Sequence, residues 1–269
     1  MGKLGVAAFA AEAALWVTGA ALIASAAGMH WSMDLPSVNL AALTGSQASA
    51  TASAGVSAHA PSLAPGASPT VSPVVLKFLA IVARPDFQFA AKFTNDQTFT
   101  YNGTAMDDSQ SGTMSYKGGD DTDSHRETLN GAVTTYDYVH LGQTTYERKN
   151  GGAWTRSVRP ATDIAGDRLL FTPTAAFVDR GLETKNGAQL HRLEIADQGA
   201  FAKSMMKTSV GATAAQVTLT VWVQDDGTPA DIELSGWVQV PVSGVSTRVT
   251  DIEEFRITST SGVTITAPI

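Results

Sequence analysis

Ser204-Met205-Met206-Lys207 places a hydroxyl and an amine one helical turn apart, the spacing by which a lysine activates a nucleophilic serine in penicillin-recognising enzymes. Neither Ser-Asp-Asn nor Lys-Thr-Gly accompanies it, and an ordinary amphipathic helix explains the same four residues. Asp120, Asp121, Asp123 and His125 crowd into the run GGDDTDSH, a set of oxygen and nitrogen ligands that could attract calcium. The loop spacing that calcium requires is missing, since no glycine stands sixth and no glutamate twelfth, so a solvated turn and no metal are expected. His140 and His191 stand singly in strand-like segments, where hydrogen-bonded or exposed histidines are common. Asn102-Gly103-Thr104 meets the glycosylation sequon, although its Asn-Gly pair already has a role as a turn. No Gly-x-Ser-x-Gly elbow, phosphate-binding glycine loop or His-Glu-x-x-His is present. The expectation is a chain with no catalytic residues, no metal and no cofactor.

Composition narrows the partners. Eighteen Lys+Arg against 25 Asp+Glu give a formal charge of −7, which disfavours nucleic acid and anionic lipid headgroups as general partners. With no cysteine in the 269 residues there are no disulfides, no thiolate chemistry and no acylated-cysteine anchor.

Three zones divide the chain. Residues 1–30 contain an apolar run from Leu4 to Gly28 with one charge, Glu12, long enough at about 1.5 Å per residue to cross a bilayer core. It reads as a membrane-targeting segment, either a retained signal anchor or a signal peptide cleaved near Ala24-Ser25-Ala26; a buried Ala-rich helix is the bland alternative. Residues 31–72 are an Ala/Ser/Pro/Gly-rich linker, with no Asp, Glu, Lys or Arg between Ser37 and Leu76. Such a stretch lacks the large side chains that offset ordering entropy and is expected to be a flexible spacer. Residues 73–269 form the folded domain. Either fate of the amino-terminal segment places this domain outside the cytoplasm, tethered to the membrane or secreted.

The elements of that domain follow from period and punctuation. Ser72-Pro73 opens a helix that Pro85 closes. From Phe87 the period becomes two: Phe87, Phe89, Ala91 and Phe93 alternate with Gln88, Ala90, Lys92 and Thr94. The pattern recurs at Phe99/Tyr101, Met114/Tyr116, Tyr136/Tyr138, Val217 to Val223 and Ile232/Leu234, with Asn-Gly or Asp-Gly pairs between many of the runs. Two short helices are expected, around Asp167 to Val178 with a break at Pro173, and around Gly199 to Lys207. The predicted class is α+β: a strongly curved antiparallel sheet, a half-barrel, covered by a few short helices and preceded by the hydrophobic helix and linker.

Gly112-x-x-x-Tyr116, Tyr146 to Trp154 and the hairpin VTLTVWVQDDGTPADIELSG, in the order export segment, helix, meander, mid-domain helices and hairpin, resemble the LolA-like and LppX/LprG-like lipoprotein superfamily. The resemblance spans about Pro73 to Pro268. It implies a half-barrel whose apolar concave face, closed by helices, holds acyl chains, and hence a lipid or other apolar ligand as partner. The lipid-modified cysteine of LppX/LprG-type relatives is missing, and an uncleaved amino-terminal helix would have to replace it. On this reading the apolar cavity is lined by Phe87, Phe89, Phe99, Tyr101, Met114, Tyr116, Tyr136 and Tyr138 of the sheet and by Leu169, Phe171 and Phe177 of a helical lid. A cavity holding ten methylenes would supply about 8 kcal/mol before ordering costs. The alternative is a cell-envelope structural or protein-interaction module of the same fold, in which these residues fill the interior completely.

Overall fold

The computed structural model describes residues 71–268 apart from 102, 160, 209–210 and 243–244. The targeting segment and nearly all of the linker lie outside these residues, and among the described residues no helix is long and apolar enough to cross a membrane.

Helix α1 (Pro73–Val82) has proline at its first turn and buries Val74, Val75, Phe78 and Val82 along one stripe. The Ser72 hydroxyl does not cap it, but donates to Asp179 at 2.7 Å. Eleven strands follow: β1 (Gln88–Tyr101), β2 (Thr104–Lys117), β3 (Asp120–Leu129), β4 (Ala132–Leu141), β5 (Thr144–Lys149), β6 (Thr155–Val158), β7 (Phe177–Lys185), β8 (Ala188–Ile195), β9 (Ala214–Val223), β10 (Pro229–Val242) and β11 (Val245–Ser259). Helix α2 (Ala161–Phe171) joins β6 to β7, and α3 (Gln198–Thr208) joins β8 to β9.

All eleven strands belong to one open antiparallel sheet in the order β6-β5-β4-β3-β2-β1-β11-β10-β9-β8-β7. It consists of two meanders joined through the β1–β11 pair, whose register runs from Ala90↔Ser259 to Thr98↔Thr250. The connection through α2 carries the chain from one free edge to the other. The Asn-Gly turns behave as their chemistry requires: Asn130, Asn150 and Asn186 have φ of 47°, 51° and 52°, the left-handed region that a tight right-twisting hairpin uses.

The second helix differs from expectation. It begins at Ala161 and ends at Phe171, because Pro173 forbids continuation, and the chain from Phe177 alternates inward and outward as a strand. Phe177 therefore reaches the interior from the sheet edge and not from a helical lid. The GGDDTDSH run also departs from a solvated turn. Gly118 and Gly119 make the turn, and from Asp120 the chain is strand β3, which sends Asp121, Asp123 and His125 to one face.

The main core lies on the face that the helices cover. It unites α1 (Val75, Phe78), α2 (Leu170, Phe171) and α3 (Phe201, Met205) with Phe89 of β1, Leu193 of β8, Leu219 of β9, Leu234 of β10 and Phe255 of β11. Sheet curvature leaves little room between strands in places. A Cβ built on Gly112 would stand 2.2 Å from the Ser124 carbonyl oxygen, so only glycine allows β2 to coil this tightly against β3.

Candidate functional site

Strand register sorts the inner face into rows. One row runs Val221, Ile232, Phe255, Phe93, Gly112, His125, Tyr136, and the next runs Leu219, Leu234, Glu253, Asn95, Gln110, Glu127, Thr134. Beyond it lie Val217, Gly236, Asp251, Gln97 and Asp108. The face is thus aliphatic and aromatic under the helices and changes to amides and carboxyls towards β1–β3.

The structure brings six of the predicted ligand residues into the apolar part. Phe87, Phe89, Met114, Tyr116, Phe171 and Phe177 are all buried members of the main core. Their rings interlock: Phe89 stands 5.5 Å from Tyr116 and 5.2 Å from Phe171, Phe171 lies 5.1 Å from Phe255, and Phe177 meets Phe78 edge-on at 5.3 Å. Each such pair contributes about 0.5–1.5 kcal/mol beyond area burial. Phe99 and Leu169 pack against the margin of this cluster, partly buried. Tyr101 is the last residue of β1, and its side chain lies outside the described residues.

Tyr136 and Tyr138 stand elsewhere. Successive inner positions of β4 stack them at 5.8 Å, and His125 of β3 and His140 of β4 extend the stack at 5.3 Å and 6.0 Å. Tyr136 is 1% exposed and Met106 of β2 is 7% exposed, yet neither belongs to the main core cluster. Lys149 lies over the Tyr136 ring at 5.2 Å. Period-two spacing of Tyr136 and Tyr138 revealed this stripe in the sequence, whereas the two histidines joined it through strand pairing.

The polar part escaped the sequence reading. Asn95, Gln97, Asp108, Gln110, Glu127, Asp251 and Glu253 are each at most 5% exposed. Asn95 donates to Asp251 at 2.8 Å, and Gln110 donates to Asp108 at 3.3 Å. Oxygens remain without hydrogen-bond partners: Asn95 Oδ1, Asp108 Oδ1, Asp251 Oδ2 and Glu253 Oε2. Burial disfavours the charged form of each acid, and neighbouring negative charge adds to it. Glu127 is raised to about 7 by burial and then by Asp108. Asp251 is raised to about 7, chiefly by burial. Glu253 is pushed well above the usual range by burial and then by Asp251, and Asp108 is raised by burial. His125 is also raised: burial opposes its charge, but the Asp123 carboxylate, 2.5 Å from Nδ1, and the other acids outweigh it.

A separate buried network anchors α2. Arg159, just after β6, is 2% exposed and pairs with Asp167 of α2 and with Asp121 at 3.2 Å, while Asp121 also holds His140 at 2.6 Å. His191, solitary in the sequence, lies 3.2 Å from Asp179 and 3.3 Å from Asp225. Ser204 donates to the Ala200 carbonyl at 3.1 Å, the ordinary back-bond of a mid-helix serine. Among the described residues no group of three or more His, Asp or Glu is arranged to hold a metal ion.

On the opposite, outer face the β7–β8 hairpin end folds back over β9–β11. Lys185 pairs with Glu254 at 2.9 Å and sits 4.2 Å above the Trp222 ring, and Asn186 donates to Asp231 at 2.8 Å. A cavity of about 200 Å³ opens there, lined by Lys92, Phe93, Thr94, Asn186, Glu254 and Arg256. Five of these six lining residues are charged or polar, which suits an acyl chain poorly.

No family model and no curated protein matches the chain. Solved structures similar to it include the lipoprotein LppX of Mycobacterium tuberculosis, at 8% identity and a TM-score of 0.41, over 72% of this chain and 96% of that one. LprF from Mycobacterium bovis aligns at 11% identity with a TM-score of 0.40, over 72% of this chain and 95% of that one. A LolA superfamily protein from Nitrosomonas europaea aligns at 13% identity with a TM-score of 0.24, over 69% of this chain and 90% of that one. At these identities and scores, the chemistry of the inner face has to be read from this chain's own residues.

Proposed function

We propose that the domain is a noncatalytic carrier that holds a lipid or similar apolar ligand against the inner face of its sheet, outside the cytoplasm, on a tether supplied by residues 1–72. The observation that carries this reading is the Tyr136–Tyr138 stripe, aromatic surface that lies apart from the main helix-covered core, with Tyr136 buried and Tyr138 half-buried. Rings on a half-buried sheet suit an alkyl chain, which needs area and no directed polar contact. Phe99 and Leu169, at the margin of the core, would extend this surface towards α2.

A second reading has its own support. Because Phe87, Phe89, Tyr116, Phe171 and Phe177 pack ring against ring, that portion of the interior is filled by the protein itself, as in a protein-interaction module with a solid core. The ligand of the first reading therefore lies against β1–β4, and these five residues support the wall behind it.

Mass spectrometry of an organic extract of the purified full chain, with transfer of a fluorescent lipid between vesicles, tests the carrier. Co-purifying acyl chains near one per protein and accelerated transfer are expected. Absence of both rejects the carrier in favour of the module. Amino-terminal sequencing of exported protein decides between the retained and the cleaved segment.

A further inference from the structure

We propose that the polar half of the inner face receives a cationic, hydrogen-bond-donating headgroup, so that the ligand is an amphiphile with an ammonium-type head and an alkyl tail along the tyrosine stripe. This rests on the inner-face reading above and gives it a ligand class.

The geometry comes first. Asn95 pairs with Glu253 and with Gln110, Gln97 pairs with Asp251 and with Asp108, and Gln110 pairs with Glu127, so these side chains share one face in two adjacent rows. Directly opposed residues in an antiparallel pair have Cβ atoms about 4.5–5.5 Å apart. The four carboxyl-bearing residues therefore lie in two adjacent rows spread over β11, β2 and β3, with the amides of β1 between them. Among the described residues none of Asp108, Glu127, Asp251 or Glu253 forms an ion pair.

The orphaned atoms indicate the chemistry of the missing partner. Asn95 Oδ1, Asp108 Oδ1, Asp251 Oδ2 and Glu253 Oε2 are oxygens at residues no more than 5% exposed, and they outnumber the unpartnered nitrogens there, Gln97 Nε2 and His125 Nε2. Leaving such groups unpaired costs about 1–3 kcal/mol each, more if charged, so a ligand that donates to several at once recovers a large penalty. An ammonium head supplies both the donors and the positive charge, whereas a carboxylate or phosphate head would face four acidic residues and find donors only at Gln97 and His125. Without a group of three or more converging acidic or imidazole ligands among the described residues, an organic cation fits better than a metal ion. The aromatic rings bordering the patch, Tyr136 and Phe93 with His125 between them, are compatible with such a head.

Proton linkage follows from the surroundings. Facing the acids are His125 and Asp123 of β3, Tyr136 of β4, Lys149 of β5 and Asp167 of α2, while Asp96 acts on Asp108 and Asp251 from β1. His125 and Lys149 are the positive groups in that set, and both act on Glu127. With Glu127 and Asp251 raised to about 7, protonation removes much of the negative charge in mildly acidic solution. An alkylammonium remains charged throughout, so its affinity must rise with pH while that of a neutral amphiphile stays level.

Dodecylamine, dodecanol and dodecyl glucoside, each below its micellar concentration, would be titrated against the full chain by displacement of a bound apolar fluorophore at about pH 5.5 and about pH 8. The amine is expected to bind about tenfold more tightly than the alcohol at the higher pH and to lose most of that margin at the lower. Asp251→Asn with Glu253→Gln should abolish the margin of the amine over the alcohol at the higher pH. Equal binding of all three overturns the headgroup inference and leaves the apolar carrier standing; a preference for the glucoside overturns it in favour of a neutral polyol. If none of the three binds, both the carrier and the headgroup fall. The pH comparison uses the unaltered protein, so a variant that does not fold leaves the outcome decisive.

Discussion

Glu253 and Arg159 illustrate two fates of a buried charge. Arg159 pairs with Asp167 and Asp121, and removing it would take the guanidinium from two carboxylates while Asp121 keeps His140. Breaking a buried pair from one side costs about 3–5 kcal/mol, and Arg159→Met is expected to lower stability by that amount in denaturant unfolding, with no change in m-value. Glu253 has no such partner. Its pKa is raised by burial, so the native state holds the proton to higher pH than the unfolded state does, and ionisation works against the fold. Glu253→Gln should therefore raise the melting temperature at about pH 8 and change it little at about pH 4, where both forms are neutral. Equal shifts at the two pH values would refute the assignment. Neither behaviour could be foreseen from one-dimensional spacing. Asp251 and Glu253 sit in the strand sequence VTDIEEF, and their register against Gln97 and Asn95 turns them inward.

At the scale of elements, α1 and α2 fix which part of the sheet is core. Helix α1 passes so close to the β9–β10 turn that a Cβ on Gly227 would meet the Phe78 amide nitrogen at 2.5 Å, and Gly227 has φ of 85°. Both constraints point the same way, and Gly227→Ala is expected to destabilise by about 1–3 kcal/mol in thermal or chemical unfolding. Helix α2 closes the interior through Phe171, whose ring touches Phe89, Tyr116 and Phe255. Phe171→Ala should cost about 3–5 kcal/mol, the usual range for a buried ring, and a loss below about 1 kcal/mol would show that the site collapses freely or that the ring is not packed as described. Helix α1 and the hairpins were legible because proline, Asn-Gly pairs and alternation act locally. The extent of α2 was less so: its polar first turns carry no strong apolar period, and Pro173 marked its end more clearly than its beginning.

For the whole molecule, the balance of perturbed groups sets the response to pH. Asp108, Glu127, Asp251, Glu253 and His125 are all raised. Raised groups contribute stability that is fully present below their unfolded pKa values and disappears as pH climbs through the folded ones. The lowered acids Asp86, Asp137, Asp179 and Asp226 lose their contribution below about pH 4, outside that range. The ligand-free protein is thus expected to melt at higher temperature near pH 5 than near pH 8, and a cationic amphiphile should reverse that order. A flat profile between these values in the free protein would contradict the buried acidic patch.

The amino-acid sequence alone determined the sheet-rich α+β class, the hairpin turns and the alternation that put Phe89, Tyr116 and Tyr136 on inner faces, because each depends on residues a few positions apart. It also supplied the candidate apolar residues, but not their division into a filled core and a separate tyrosine stripe. That division, and the meeting of Asp108, Glu127, Asp251 and Glu253, arose from pairing β1 with β11 across more than 150 residues of chain, exemplified by the Asn95–Asp251 hydrogen bond at a separation of 156. Period two says only that alternate residues share a face; which strands lie side by side, and therefore which charges meet in a place poor in water, is decided when the two meanders close on one another.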